Sequence, residues 1–215
     1  KDESRHIVKV LRKTTGDLVQ ITNGKGWIFE AEVIVPNHNK CVVKILKSSF
    51  KAPRPYTIHL AVAPTKINDR YEWFIEKATE IGVDIITPII CQNSERKIIK
   101  TERFEKILQS AMKQSLTPYL PTLAPAVSFS EFIKIPQNGD RFIAHCEDGE
   151  KLKFKDQIQA HKSATVLIGP EGDFSLQEIE TALKHEYIPV SLGASRLRTE
   201  TAGIVACHTI QLCNE

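Results

Sequence analysis

Three short stretches of this chain carry residue types that could do chemistry. In the first, Val166-Leu167-Ile168-Gly169-Pro170-Glu171-Gly172-Asp173-Phe174-Ser175, an apolar run ends in a Gly-Pro-Glu-Gly turn. Ser175, with Glu178 three residues on, then forms a capping-box pattern for a helix. Glycines at such a turn let a ligand approach the backbone; the competing reading is a plain strand-to-helix turn. The second stretch, Ser191 to Gly203, concentrates Arg196, Arg198 and Glu200 at another strand-to-helix junction. Such charges can stabilise a developing anion or move a proton, or they can pair on a solvated loop. The third, Ala144-His145-Cys146-Glu147, offers an imidazole and a thiol at a strand end, where packing is the commoner explanation. Two glycine-bearing strand ends so close together favour a shared ligand pocket. No Walker loop, GxGxxG fingerprint, GxSxG elbow or metal-ligand pair occurs, which takes weight from phosphoryl transfer, Rossmann dinucleotide binding and α/β-hydrolase chemistry.

An alternation of strands and helices has to position these residues. After residue 55 the pattern predicts strands at 56–63, 84–90, 141–146, 164–169 and 187–192. It predicts helices at 68–82, 101–116, 176–185 and 200–213. Tyr71, Phe74, Ile75, Ala78 and Ile81 follow helical spacing, and Gly82 suits the helix end. Ligands of open α/β sheets bind outside the C-terminal ends of strands, where all three stretches fall. Residues 4–50 read differently. Strands at 17–22, 27–35 and 41–46 are separated by Asn23-Gly24-Lys25-Gly26 and by Pro36-Asn37-His38-Asn39, which implies a small barrel or curled sheet. Lys51-Ala52-Pro53-Arg54-Pro55 is a stiff, charged linker, so the expected domains are 1–52 and 53–215.

Composition narrows the class. With 215 residues, 41% hydrophobic and 26% charged, the chain is ordinary globular material with room for two domains. No apolar run is long enough to cross a bilayer, and the polar opening carries no secretory signal, so no membrane partner is expected. Five cysteines without a CxxC pair argue against disulfides and zinc and fit a reducing cytoplasm. A net charge of +3 permits a polyanionic partner without demanding one.

The run Leu167-Ile168-Gly169-Pro170-Glu171-Gly172, followed by Leu192-Gly193 and Leu197-Arg198-Thr199-Glu200-Thr201-Ala202, closely resembles the signature of the small-subunit ribosomal RNA uracil-N3 methyltransferases, of the SPOUT superfamily. Further matches are His6-Ile7-Val8-Lys9-Val10-Leu11-Arg12, Glu76-Lys77-Ala78-Thr79-Glu80-Ile81-Gly82-Val83, Ser94-Glu95-Arg96 and Gln114-Ser115, so the resemblance covers nearly the whole chain. It implies a PUA-like RNA-binding β-barrel at 1–52. It also implies an α/β methyltransferase domain with a parallel sheet and a deep C-terminal trefoil knot at 53–215. Knots are rare, and periodicity alone would not suggest one.

The resemblance further implies S-adenosylmethionine as cofactor, a homodimer, and 16S ribosomal RNA of the small subunit as substrate, methylated at N3 of a specific uridine. Expected cofactor contacts are Ala144, His145 and Cys146; Leu167, Ile168, Gly169, Pro170 and Gly172; and Leu192, Gly193, Leu197, Thr199, Thr201 and Ala202. Arg198 is expected to orient or stabilise the uracil anion, and Glu200 to position Arg198 or take part in proton removal. Arg5, His6, Lys9, Arg12 and Arg96 are the expected RNA contacts. Two departures stand out. Lys113-Gln114-Ser115-Leu116-Thr117 replaces the family's Glu-Gln-Ser-Gly-Arg, so no role passes from that arginine. Asp173 follows Gly172 where glycine is common, but Asp tolerates left-handed backbone. Two other readings remain: a SPOUT methyltransferase of tRNA or of another rRNA position, and a non-catalytic RNA-binding protein.

Overall fold

A computed structural model describes residues 1–99 and 101–215, which divide into two compact units, Lys1–Pro53 and Arg54–Glu215. The first unit opens with a short helix, α1 (Asp2–Arg5), running into a π-helical turn over His6–Val10. Strands β1 (Leu18–Thr22), β2 (Trp27–Val35) and β3 (Val42–Phe50) follow in antiparallel order β1-β2-β3. Asn23 fixes the first turn, its side-chain oxygen accepting from the amides of Lys25 and Trp27 at 2.8 and 3.3 Å. Ala31 and Val33 alternate into the buried face with no exposure.

β3 runs four residues past the end of its apolar alternation. Lys47-Ser48-Ser49 carries no strand pattern, but these residues pair with Glu30, Phe29 and Ile28, and Phe50 packs on Trp27 with ring centroids 5.2 Å apart. Among the described residues this unit is a three-stranded antiparallel sheet in open order; it does not close into a barrel.

The second unit is α/β, and every strand pairing in it is parallel. Its elements are β4 (Ile58–Val62), α2 (Asn68–Ile81), β5 (Ile85–Ile90), α3 (Thr101–Gln114), β6 (Thr122–Leu123), β7 (Val127–Ser128), α4 (Phe129–Phe132), β8 (Asp140–Ala144), β9 (Leu152–Lys153), β10 (Ala164–Ile168), α5 (Leu176–Lys184), β11 (Ile188–Ser191) and α6 (Thr199–Leu212). The sheet order is β6-β5-β4-β10-β8-β11-β9, with β7 beside β5. β4 and β10 are apolar along nearly their whole length because both faces are covered. One core holds Tyr71, Phe74 and Ile75 of α2 with Ala206, Cys207 and Ile210 of α6. The other holds Phe129, Phe132, Phe174, Ile179 and Tyr187.

Gly82 ends α2 in left-handed geometry at φ 115°, its amide donating to Ala78 O. The Ser175–Glu178 capping box opens α5 as its spacing predicts. Short elements at 122–132 and 152–156 carry no apolar period long enough to mark them, although Ser128 and Glu131 form a capping box whose spacing is plain in the sequence.

Leu116, at the position where the resemblance leads one to expect glycine, sits in left-handed backbone at φ 56° and is 76% exposed. On α6 the buried stripe is Gly203, Ala206, Cys207 and Ile210, while Ala202, Val205 and Thr209 stay half-buried. A Cβ on Gly203 would lie 2.5 Å from the Phe74 ring, so only glycine lets α2 and α6 approach this closely.

Candidate ligand cavity and charged cleft

The first two stretches found in the sequence are joined at their bases. Thr199, the first residue of α6, donates its hydroxyl to Gly169 O at 3.0 Å, tying the end of β10 to the start of the last helix. The turn after β10 is clamped from two other strand ends. The Lys66 amide donates to Glu171 Oε1 at 2.9 Å, and Asn93 Nδ2 donates to Gly172 O and Asp173 O at 3.0 and 3.2 Å. Asp173 takes the left-handed conformation at φ 61° that the family's glycine would supply. Its carboxylate accepts from the Cys146 amide at 2.6 Å and from the Phe174 amide at 2.8 Å, so it also braces the third stretch.

The glycines divide into two kinds. A Cβ on Gly169 would press on Phe174 at 3.0 Å, and one on Gly172 would press on Asn93 at 3.1 Å. These two are shaped by protein packing. Gly193, at φ +156°, has no atom within 4 Å of that position. It borders a cavity of about 390 Å³ between the ends of β8 and β11.

Of the residues expected at a cofactor site, Ala144, His145, Cys146, Leu192, Gly193, Leu197 and Ala202 line this cavity. Leu167, Ile168, Gly169 and Pro170 are buried, and Leu167 and Ile168 belong to the two cores. Gly172 faces Asn93, Thr199 is buried, and Thr201 borders a different cleft. Lys151 and Arg196 line the cavity although neither was a candidate contact. Lys151 Nζ donates to Glu147 O at 2.5 Å and His145 O at 3.3 Å, closing the loop that walls it. Nothing in the Glu-Asp-Gly-Glu-Lys run marks that lysine in advance.

The cavity fits a nucleoside-like ligand in its chemistry. Leu192, Leu197 and Ala202 supply apolar contact, and Gly193 allows close approach to the backbone. His145 Nδ1 is buried without a hydrogen-bond partner among the described residues. Burial, and then Lys151 nearby, lower the His145 pKa from the usual histidine value, which favours the neutral ring.

Arg198 and Glu200 do come together, but in a second space. A cleft of about 360 Å³ is lined by Asp69, Arg70 and Trp73 of α2 and by Arg198, Glu200 and Thr201. Arg198 is exposed and immediately precedes α6. Glu200 is 7% exposed; Oε1 lies 3.8 Å from Arg70 Nε, and Oε2 has no partner among the described residues. Leu197 and Ala202 border the cavity while Arg198, Glu200 and Thr201 border the cleft, so residues 197–202 contribute to both spaces. In the first unit Arg5, His6, Lys9 and Arg12 are exposed, as a polyanion contact requires. Arg96 is half-buried, its Nε donating to Ile98 O at 3.2 Å. Among the described residues no helix is long and apolar enough to cross a membrane.

A parallel α/β unit with a cavity at its strand ends defines a small-ligand-binding domain of the open-sheet class. A model of the RNA methyltransferase domain matches residues 52–211, and one of the RNA methyltransferase PUA domain matches residues 1–46; the chain belongs to this RNA methyltransferase family. It is 33% identical to the ribosomal RNA small subunit methyltransferase E of Buchnera aphidicola over 98% of this chain and 85% of that protein. A Porphyromonas gingivalis crystal structure named a "probable rRNA-methyltransferase" superposes with a TM-score of 0.91 at 42% identity, covering 99% of this chain and 92% of that one. The Neisseria gonorrhoeae ribosomal RNA small subunit methyltransferase E, solved bound to S-adenosyl methionine, superposes with a TM-score of 0.86 at 27% identity, covering 99% and 90%.

Proposed function

We propose that the protein transfers a methyl group from S-adenosylmethionine to N3 of a specific uridine in 16S ribosomal RNA of the small subunit. The observation that carries this reading is the open, glycine-walled cavity at the β8 and β11 strand ends, set beside a cleft with one buried carboxylate and two arginines. The relatives that act on small-subunit ribosomal RNA or bind S-adenosyl methionine support it.

Leu192, Leu197 and Ala202 would hold the adenine by apolar contact, and the backbone at Gly193 and at Ala144–Cys146 would meet its polar groups. When bound, the cofactor supplies an electrophilic methyl group on its sulfonium. The chain's own task is to present the uracil nitrogen, remove its proton and stabilise the charge left behind. Glu200 Oε2, buried and unpartnered, is assigned to accept the N3 proton. The Arg198 guanidinium is assigned to donate to the carbonyl oxygen on which negative charge grows.

Residues 1–52 are assigned to RNA binding through Arg5, His6, Lys9 and Arg12, and residues 53–215 to cofactor and chemistry. The knotted C-terminus is proposed on the family resemblance; in the second unit β10 sits between β4 and β8, and α6 packs on β4 and β10. The half-buried Ala202, Val205 and Thr209 suit a homodimer contact. Five free cysteines suit a reducing cytoplasm.

Methyl transfer to purified small subunits, followed by nucleoside analysis, tests the reading. The expected product is 3-methyluridine in 16S RNA. Methylation elsewhere, or none, contradicts it.

A further inference from the structure

The proposed reaction uses only Arg198 and Glu200 of the charged cleft and leaves unused, among others, the indole of Trp73. Tyr71, Phe74 and Ile75 around it on α2 are fully buried, yet Trp73 is 45% exposed and borders the cleft opposite Arg198 and Glu200. A broad aromatic face left in water is poised to gain when another flat group covers it.

The charges of the cleft say what kind of group that is. Arg70 and Arg198 are balanced by Asp69 and Glu200, so there is no excess positive charge to draw a phosphate. Phosphate contacts position an RNA but do not identify a base, whereas base edges are read by matched donors and acceptors. Glu200 is more than nine-tenths buried, and its Oε2 lacks a donor among the described residues. Such an oxygen gains most from an N–H brought to it.

We propose that this cleft selects the target base as uracil: Trp73 stacks on the ring, Glu200 Oε2 accepts from N3–H, and Arg70 and Arg198 donate to the two flanking carbonyls. The imide edge of uracil reads acceptor, donor, acceptor. The cleft offers donor, acceptor, donor. Cytosine turns an unprotonated nitrogen toward the carboxylate and an amino group toward an arginine, so both contacts become repulsive. The assignment rests on the uridine-methylation reading and adds to it a stacking platform, Trp73, and a carbonyl donor, Arg70, that no sequence motif singled out.

The test uses the full chain, S-adenosylmethionine and unmethylated small subunits. Trp73→Ala should lower kcat/KM about five- to hundred-fold, the range of one lost base–aromatic stack, mainly by raising KM. Cofactor affinity by calorimetry and molar mass by light scattering should match the wild type, and Trp73→Phe should recover most of the loss. In a Trp27→Phe chain Trp73 is the only tryptophan. Its fluorescence should be quenched by a short RNA with uridine at the target position and not by the same RNA with cytidine there.

Wild-type methylation rates in Trp73→Ala, or equal quenching by both RNAs, would overturn the proposal alone. A halved molar mass in Trp73→Ala would also overturn it, by placing the indole between copies of the chain. A wild-type enzyme that leaves 16S RNA unmethylated would overturn the uridine reading and this proposal with it.

Discussion

The cavity beside Gly193 and the cleft beside Trp73 both draw on residues 197–202 and differ in their materials. The cavity is made mostly of strand ends and small or apolar residues, with Lys151 and Arg196 in its lining. The cleft is made of long charged side chains and an indole carried by two helices. Along 197–202 the side chains sort themselves, with Leu197 and Ala202 toward the cavity, Arg198, Glu200 and Thr201 toward the cleft, and Thr199 inward to Gly169. A helix start turns successive side chains by about 100° each, so six residues suffice to face two spaces. One run can thus hold a ligand by shape on one side and act by charge on the other. Damage to the two sides should then separate experimentally.

The largest expected separation is at Arg198. Replacing Arg198 with Ala removes a donor that strengthens only as charge develops, so turnover on small subunits should fall about a hundred- to a thousand-fold. Arg198→Lys should recover part of the rate, because an ammonium lacks the planar fork of donors. Single-turnover methylation measures both variants, and near-normal turnover in Arg198→Ala would reduce the arginine to a structural role.

Next is Gly203. An added methyl group meets Phe74 at 2.5 Å and must push α2 from α6. Gly203→Ala should cost about 1 to 3 kcal/mol in urea unfolding. It should also raise KM for small subunits more than it weakens cofactor binding, since the cleft lies between those helices. An equal loss in both would break the division between the two spaces.

The smallest effect is expected at Asp173, on the cavity side. Asp173→Ala loses the acceptor for the Cys146 amide and leaves a left-handed residue without its compensation, about 1 to 2 kcal/mol together. Cofactor affinity should fall a few-fold while KM for RNA stays put. Asp173→Gly should regain the backbone part of that loss in the same unfolding assay.

The sequence marks some of this architecture closely and some not at all, for physical reasons. β2 and α2 appear within a residue of their pattern because each is long enough to show its period, and α2 ends at a glycine that must adopt positive φ. β3 outruns its pattern because its last residues are held by pairing with β2 rather than by burial. The strand-end location of the site follows from the two glycine-bearing junctions. The motif does not reveal that Gly169 and Gly172 answer to Phe174 and Asn93 while Gly193 answers to open space. Nor does it show that Arg198 and Glu200 border a second space with α2, since that depends on where α2 lies, a long-range contact. Trp73 and Lys151 give no signal because their neighbours in sequence are not their neighbours in space.

The division between cavity and cleft is tested most directly by calorimetric titration of S-adenosylmethionine into Gly193→Val and Arg198→Ala side by side. A valine at Gly193 projects into the space that the cavity leaves open and strains a backbone at φ +156°, so binding should be lost or weakened more than about tenfold. Arg198→Ala should bind within about twofold of the wild type, although it scarcely turns over; a tenfold change is only about 1.4 kcal/mol and is readily resolved. Unchanged affinity in Gly193→Val, or an equal loss in Arg198→Ala, would contradict the assignment of cofactor to the cavity and base to the cleft.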